Sequence, residues 1–362
     1  MSKKHKKKTV RKTFSHSILV LSLIFILLIA AVVIFTKHNA EGEAPSVPLA
    51  SIHCVGELEQ DFQCHKRHFA EIARVIGPVA AMTDLKKLYS TNTYVVSQCH
   101  QLVHAIGNTA ADMYGDIGEA FRYGDSFCWS GYYHGVVEQA LKQFNPDTAA
   151  AKTDGFCAKI PGKAQYSFDY FNCVHGLGHG FMAITKNEVF QALSLCDNLS
   201  GQWEKESCYG GVFMENVMVD NRSHFTKYLK PDDLLYPCDA VDEHFKGQCY
   251  LMQTSYALTK NGRSFANLFD LCARADQNYR NTCAQSIGRD ASGQSVSNAA
   301  QTHDWCALGH DDDQKMNCII GAAKDFVSYF HSDKPAYEFC RTEEGSLRSI
   351  CENTVQSYYR TF

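Results

Sequence analysis

Cys173-Val-His175-Gly-Leu-Gly-His179-Gly180 sets two histidines four residues apart, directly after a cysteine. On a helix that spacing is about one turn, so both imidazoles share a face and can grip one metal ion. Related phrases stand on either side of it. Cys99-His100-Gln-Leu-Val-His104 repeats the spacing. Cys128-Trp-Ser-Gly-Tyr-Tyr-His134-Gly-Val-Val-Glu138 gives a histidine and a glutamate four apart. Cys208-Tyr-Gly-Gly-Val-Phe-Met-Glu215 adds a carboxylate at a comparable offset. One such unit carries little weight, whereas four in register point to a shared design.

The cysteines that open these phrases also decide the fold. Cys196/Cys208, Cys238/Cys249, Cys272/Cys283, Cys306/Cys318 and Cys340/Cys351 are pairs of nearly one spacing. Cys157/Cys173 is a longer version, Cys54/Cys64 a shorter one, and Cys99/Cys128 are partners by elimination. The first cysteine of a pair ends an apolar run, as in Asn-Leu-Phe-Asp-Leu-Cys272, and the second opens the phrase that follows. Successive second cysteines from Cys128 onward lie 33 to 45 residues apart, a period that suits stacked helical hairpins. Each hairpin then has helix A ending at its first cysteine and helix B starting near its second. A disulfide staples the turn between them, contributing about 2–3 kcal/mol for a loop of roughly ten residues. Alternating Val/Ile/Thr runs are sparse and no Asn-Gly hairpin turn is read, so the expected class is all-α. The hairpins would form either an open α/α solenoid or a closed toroid with the B helices innermost. In organisation the open form resembles the secreted Sel1-like repeat proteins, although cysteine spacing and consensus differ.

The 362 residues and 45% hydrophobic content suffice for a real core. Seven of the 35 Lys and Arg fall in the first sixteen residues, so the remainder has 28 basic against 39 acidic groups, a net of −11. Such a body is not drawn to nucleic acid. The basic start belongs instead to the apolar run after it, Ile18 to Phe35, in which Ser22 is the only polar residue. The expected layout is a basic cytoplasmic tail (1–17), a transmembrane signal-anchor (18–36), a Gly/Pro-containing linker (37–52) and an extracytoplasmic domain (53–362). A cleaved signal peptide is the competing reading; the length of the run and the lack of a small-x-small site favour the anchor. All sixteen cysteines follow the run, which agrees with an oxidising compartment. No CxxC occurs, so thiolate metal sites and covalent haem are not expected.

Imidazole and carboxylate remain as metal ligands. The expected set is His100, His104, His134, Glu138, His175, His179 and Glu215, within residues 99–216, enough for one or two cations. The ligand order resembles that of hemerythrin-like diiron proteins in spacing alone, since those are compact four-helix bundles without this cysteine rhythm. Zinc would make the chemistry hydrolytic, with Glu138 or Glu215 as general base. Copper or iron would make it oxidative, with Tyr133 near the site in sequence. Gly176, Gly178 and Gly180 cost helix stability and imply close packing, a ligand approach or a loop. His65 and His68 lie among Lys66, Arg67 and Arg74, which disfavours a cation. Asp311-Asp312-Asp313 lacks the spacing of a calcium loop and reads as a solvated turn. Asn198 and Asn221 match the glycosylation pattern. The sequence-level expectation is a membrane-anchored metal-dependent enzyme acting on an unknown extracytoplasmic substrate. The alternatives are a non-catalytic repeat-type binding protein and a metal or oxygen carrier.

Overall fold

In a computed structural model of the chain, the structure describes residues 54–218 and 226–359. The expected tail, anchor and linker, and Asn221, lie outside the described residues. Among those described, no helix is long and apolar enough to cross a membrane.

The described chain is helical, without a β-strand. Its N-terminal part contains α1 (Phe62–Val75), α2 (Pro78–Tyr89), α3 (Thr93–Ser97), α4 (Cys99–Tyr114), α5 (Ile117–Phe121) and α6 (Gly131–Leu141). Then come α7 (Pro146–Ala150), α8 (Thr153–Phe156), α9 (Phe168–Ile184), α10 (Val189–Cys196), α11 (Gln202–Val217) and α12 (Glu243–Lys260). The last six are α13 (Phe265–Ala273), α14 (Arg280–Gln294), α15 (Ala299–Cys306), α16 (Asp312–Phe330), α17 (Asp333–Cys340) and α18 (Gly345–Tyr359).

Eight disulfides join the cysteines in consecutive pairs, with the pairing expected from their spacing. Three short helices, α10, α15 and α17, end at the first cysteine of a pair, and α13 ends one residue beyond it. The placement of the second cysteine differs from expectation. Cys208, Cys283 and Cys318 lie inside α11, α14 and α16 rather than at their starts. At α16 the reason is local: Asp311 accepts from the Gln314 backbone N–H at 2.8 Å, which explains the triple-aspartate run as an N-cap and an acidic first turn.

The longer helices pack in chain order, α4 on α6, α6 on α9, α9 on α11, α11 on α12, α12 on α14, α14 on α16 and α16 on α18. The glycines explain how they approach. A Cβ placed on Gly178 would collide with the Cys208 carbonyl on α11, and one on Gly211 with the His175 carbonyl on α9. Gly107 with Gly135, and Gly288 with Gly321, repeat the arrangement at α4/α6 and α14/α16. Helix propensity is given up at these positions so that backbones can meet. The chain's late helices also touch its early part. Trp129 Nε1 donates to Asp325 Oδ1 at 3.2 Å, the Trp129 ring packs on Tyr329, and Phe168 stacks on His331.

Candidate metal centre

His100 and His104 lie one turn apart on α4, His134 on α6 and His179 on α9. Each is at most 3% exposed, and one ring nitrogen from each lies within 4.8 Å of the others. The close packing of α4, α6 and α9 carries these rings inward together.

The other ring nitrogens define the tautomers. His100 Nδ1–H donates to the Cys128 carbonyl at 2.8 Å. His104 Nδ1–H donates to Glu138 Oε2 at 3.2 Å, and His179 Nδ1–H to Glu215 Oε2 at 2.7 Å. A carbonyl or carboxylate only accepts, so in each neutral ring the proton is on Nδ1 and Nε2 carries the lone pair. His100 Nε2 and His104 Nε2 stand 3.0 Å apart. Two such lone pairs repel unless a proton or a cation lies between them. Burial, then the neighbouring His104, pushes His100 down to about 3, so the His100 ring is neutral. His134 has no hydrogen-bond partner at either ring nitrogen among the described residues, and burial, first among its causes, holds it well below the usual imidazole range. Each unpaired buried nitrogen costs about 1–3 kcal/mol. A tetrahedral ion at about 2.0–2.1 Å from nitrogen needs ligands roughly 3.3 Å apart, within the spread found here. The group fits a metal.

A left-handed turn prepares this geometry. Cys128, Trp129 and Ser130 have φ of 57°, 53° and 59°, in a region that costs L-residues about 1–2 kcal/mol each. It leads into α6, while the Cys128 carbonyl reaches His100 and Trp129 reaches Asp325.

Of the seven ligands expected, four converge. Glu138 and Glu215 lie behind the histidines, on Nδ1 of His104 and His179, instead of supplying oxygens to the four-nitrogen group. Burial pushes the Glu138 carboxyl up, but its His104 hydrogen bond and Lys142 outweigh this and hold it below the ordinary value. His175 turns to the side, with Nδ1 on the Ser207 carbonyl at 3.1 Å and Nε2 3.4 Å from Met214 Sδ. Its ring stays 4.9 Å from that of His134. Tyr133 packs instead among Phe121, Tyr132 and Phe168 and against Gly124, away from the imidazole group. The histidines set aside from sequence have other partners: His65 meets the Glu59 carbonyl and His68 meets Asp84.

Beside the centre lies a cavity of about 310 Å³, bordered by His134, His175 and Met214. Its far walls come from α14, α16 and α18, with Arg289, Lys324 and Tyr358. Arg289, Lys324 and Tyr358 are not among the residues singled out from the sequence. A signal was present. Six residues after the second cysteine stand His134, His179, Met214, Arg289 and Lys324, so one register position supplies the centre and then the cavity.

Comparison with known proteins brings no relative: no family model, no curated protein and no solved structure matches the chain.

Proposed function

We propose that this chain is a metal-dependent enzyme whose ion is held by His100, His104, His134 and His179. The observation that carries the reading is the convergence of His100, His104, His134 and His179, buried and with one ring nitrogen from each within 4.8 Å of the others, while the Cys128 carbonyl, Glu138 and Glu215 hold Nδ1 of three of them. The Cys128 carbonyl, Glu138 and Glu215 orient the rings and raise their basicity. His134 belongs both to the centre and to the cavity wall, so a substrate in the cavity lies beside the ion.

The donor set supports copper ahead of zinc. Neutral imidazoles suit either, but a thioether, Met214 Sδ, lies beside His175 at the cavity edge, and such donors select copper. Copper supplies one-electron chemistry; the protein holds the rings, excludes water and presents the substrate.

The packing in chain order, with Trp129 meeting Asp325 and Tyr329, supports a closed ring of disulfide-stapled hairpins around the cavity. The basic tail and the apolar run at 18–36 support a single-pass anchor with the ring outside the cytoplasm, where the eight bridges would persist.

Elemental analysis of the detergent-purified, non-reduced full chain tests the centre, beside a His134→Ala/His179→Ala variant. The expected result is at least one copper per chain, lost in the variant. Zinc in its place would redirect assays to hydrolysis. A chain that takes up no copper, zinc or iron after reconstitution overturns the reading and leaves a non-catalytic binding protein; bound metal without turnover of any substrate leaves a carrier.

A further inference from the structure

The cavity has its own chemistry, apart from the imidazoles. Lys324 extends into it from α16 and makes no ion pair among the described residues; its polar contact is Gln285 Oε1 at 3.0 Å. Burial holds its ammonium below the usual lysine value, the cost of a cation answered only by a neutral amide. Arg289 enters from α14. Its Nη2 meets Asp290 Oδ1 at 2.9 Å and the Ser255 hydroxyl, while its buried Nε–H has no acceptor. Asp290 pairs with Arg289 and also accepts from Thr254 and Ser255. Asp325 accepts from Trp129, the exposed Glu206 accepts from Gln202, and among the described residues neither forms an ion pair with Lys324. Lys324 thus faces the cavity without a carboxylate partner, and Arg289 keeps a spare donor beside it. Phe171, Trp203 and Leu251 add apolar wall to a cavity at the lower end of the usual size for small-molecule sites.

We propose that this cavity binds a small organic anion, a carboxylate or phosphate head meeting Lys324 and Arg289 and an apolar body lying along Phe171, Trp203 and Leu251. As the substrate of the metal centre the anion rests on the reading given above; as a ligand of the cavity it does not.

Calorimetric titration of the full-length chain, as purified and after chelator treatment, separates the two. The probes are 4-phenylbutyrate, 4-phenylbutyl phosphate, 4-phenylbutan-1-ol and 4-phenylbutylamine. One or both anions are expected to bind about tenfold or more tightly than the alcohol in both metal states, with the amine weakest. The tighter anion identifies the head group. Lys324→Met should reduce the preference over the alcohol to less than about threefold while leaving the alcohol's own affinity, and Lys324→Arg should retain it. Equal binding of alcohol and anions overturns the proposal, as does a preference that survives Lys324→Met, or no binding by a chain that still melts cooperatively. An anion preference in a chain that takes up no metal would overturn the centre alone; a loaded centre without the preference would overturn the anion site alone.

Discussion

Glu215 accepts from His179 Nδ1–H, and this makes it a clean single test of how the imidazoles are held. Glu215→Gln keeps shape but replaces a charged acceptor with a neutral one. Metal affinity, measured by chelator competition, should fall about 10–100-fold while the melting temperature of the metal-free chain changes little. An unchanged affinity would remove Glu215 from the site. Asp325 gives a prediction of another kind. Burial raises its carboxyl to about 7, against the lowering effects of Ser292, Arg289 and the Trp129 hydrogen bond, with Asp290 adding to the rise. Below about pH 4 the group is protonated folded and unfolded alike and has no effect on stability. From about pH 4 to 7 the unfolded chain releases the proton and the folded one retains it, so stability falls as pH rises, then levels off. Asp325→Asn removes that loss. The variant should match the natural chain near pH 4 and exceed its unfolding free energy by up to a few kcal/mol at pH 8, by denaturant titration. A constant difference across that range would mean that Asp325 is ionised throughout.

Where helices meet, glycine has two opposite meanings. Gly178 on α9 lies against α11, so Gly178→Ala has to push two backbones apart; a loss of several kcal/mol and of metal binding is expected. Gly247 on α12 has only ordinary contact with Tyr279, so Gly247→Ala should stabilise by about 0.5–1 kcal/mol in the same thermal melt. Similar outcomes for both would contradict the close-contact account. At this scale the sequence was legible where chemistry repeats along the chain. The cysteine rhythm predicts all eight bridges, and the paired histidines predict which helices carry the centre. Three features were missed, each for its own reason. Glu138 and Glu215 match ligands in spacing, yet orientation decides whether a carboxylate meets a metal or a ring N–H. Tyr133 is adjacent to His134 in sequence and, on a helix, therefore points elsewhere. Arg289 and Lys324 share the register of His134 but were passed over because cations are not metal ligands.

Across the whole molecule, Trp129 is the residue through which the left-handed turn before α6 meets α16. If the hairpins close into a ring, Trp129→Ala should cost about 3–5 kcal/mol and raise hydrogen exchange in α16 and α18 as well as in α6. Exchange confined to α6 would favour an open array. Removing a terminal staple is a milder change: Cys340→Ala/Cys351→Ala opens a loop whose ends are eleven residues apart and should cost about 2–3 kcal/mol with metal content intact. The consecutive pairing of all sixteen cysteines has a further consequence, in the order of birth. A chain emerging N-terminus first offers each cysteine its proper partner as the next thiol to appear, before any later competitor exists. Vectorial synthesis can therefore proofread the connectivity. Cells lacking a disulfide isomerase should still yield correctly bridged protein, whereas the fully reduced chain, refolded with all its thiols present together, should scramble.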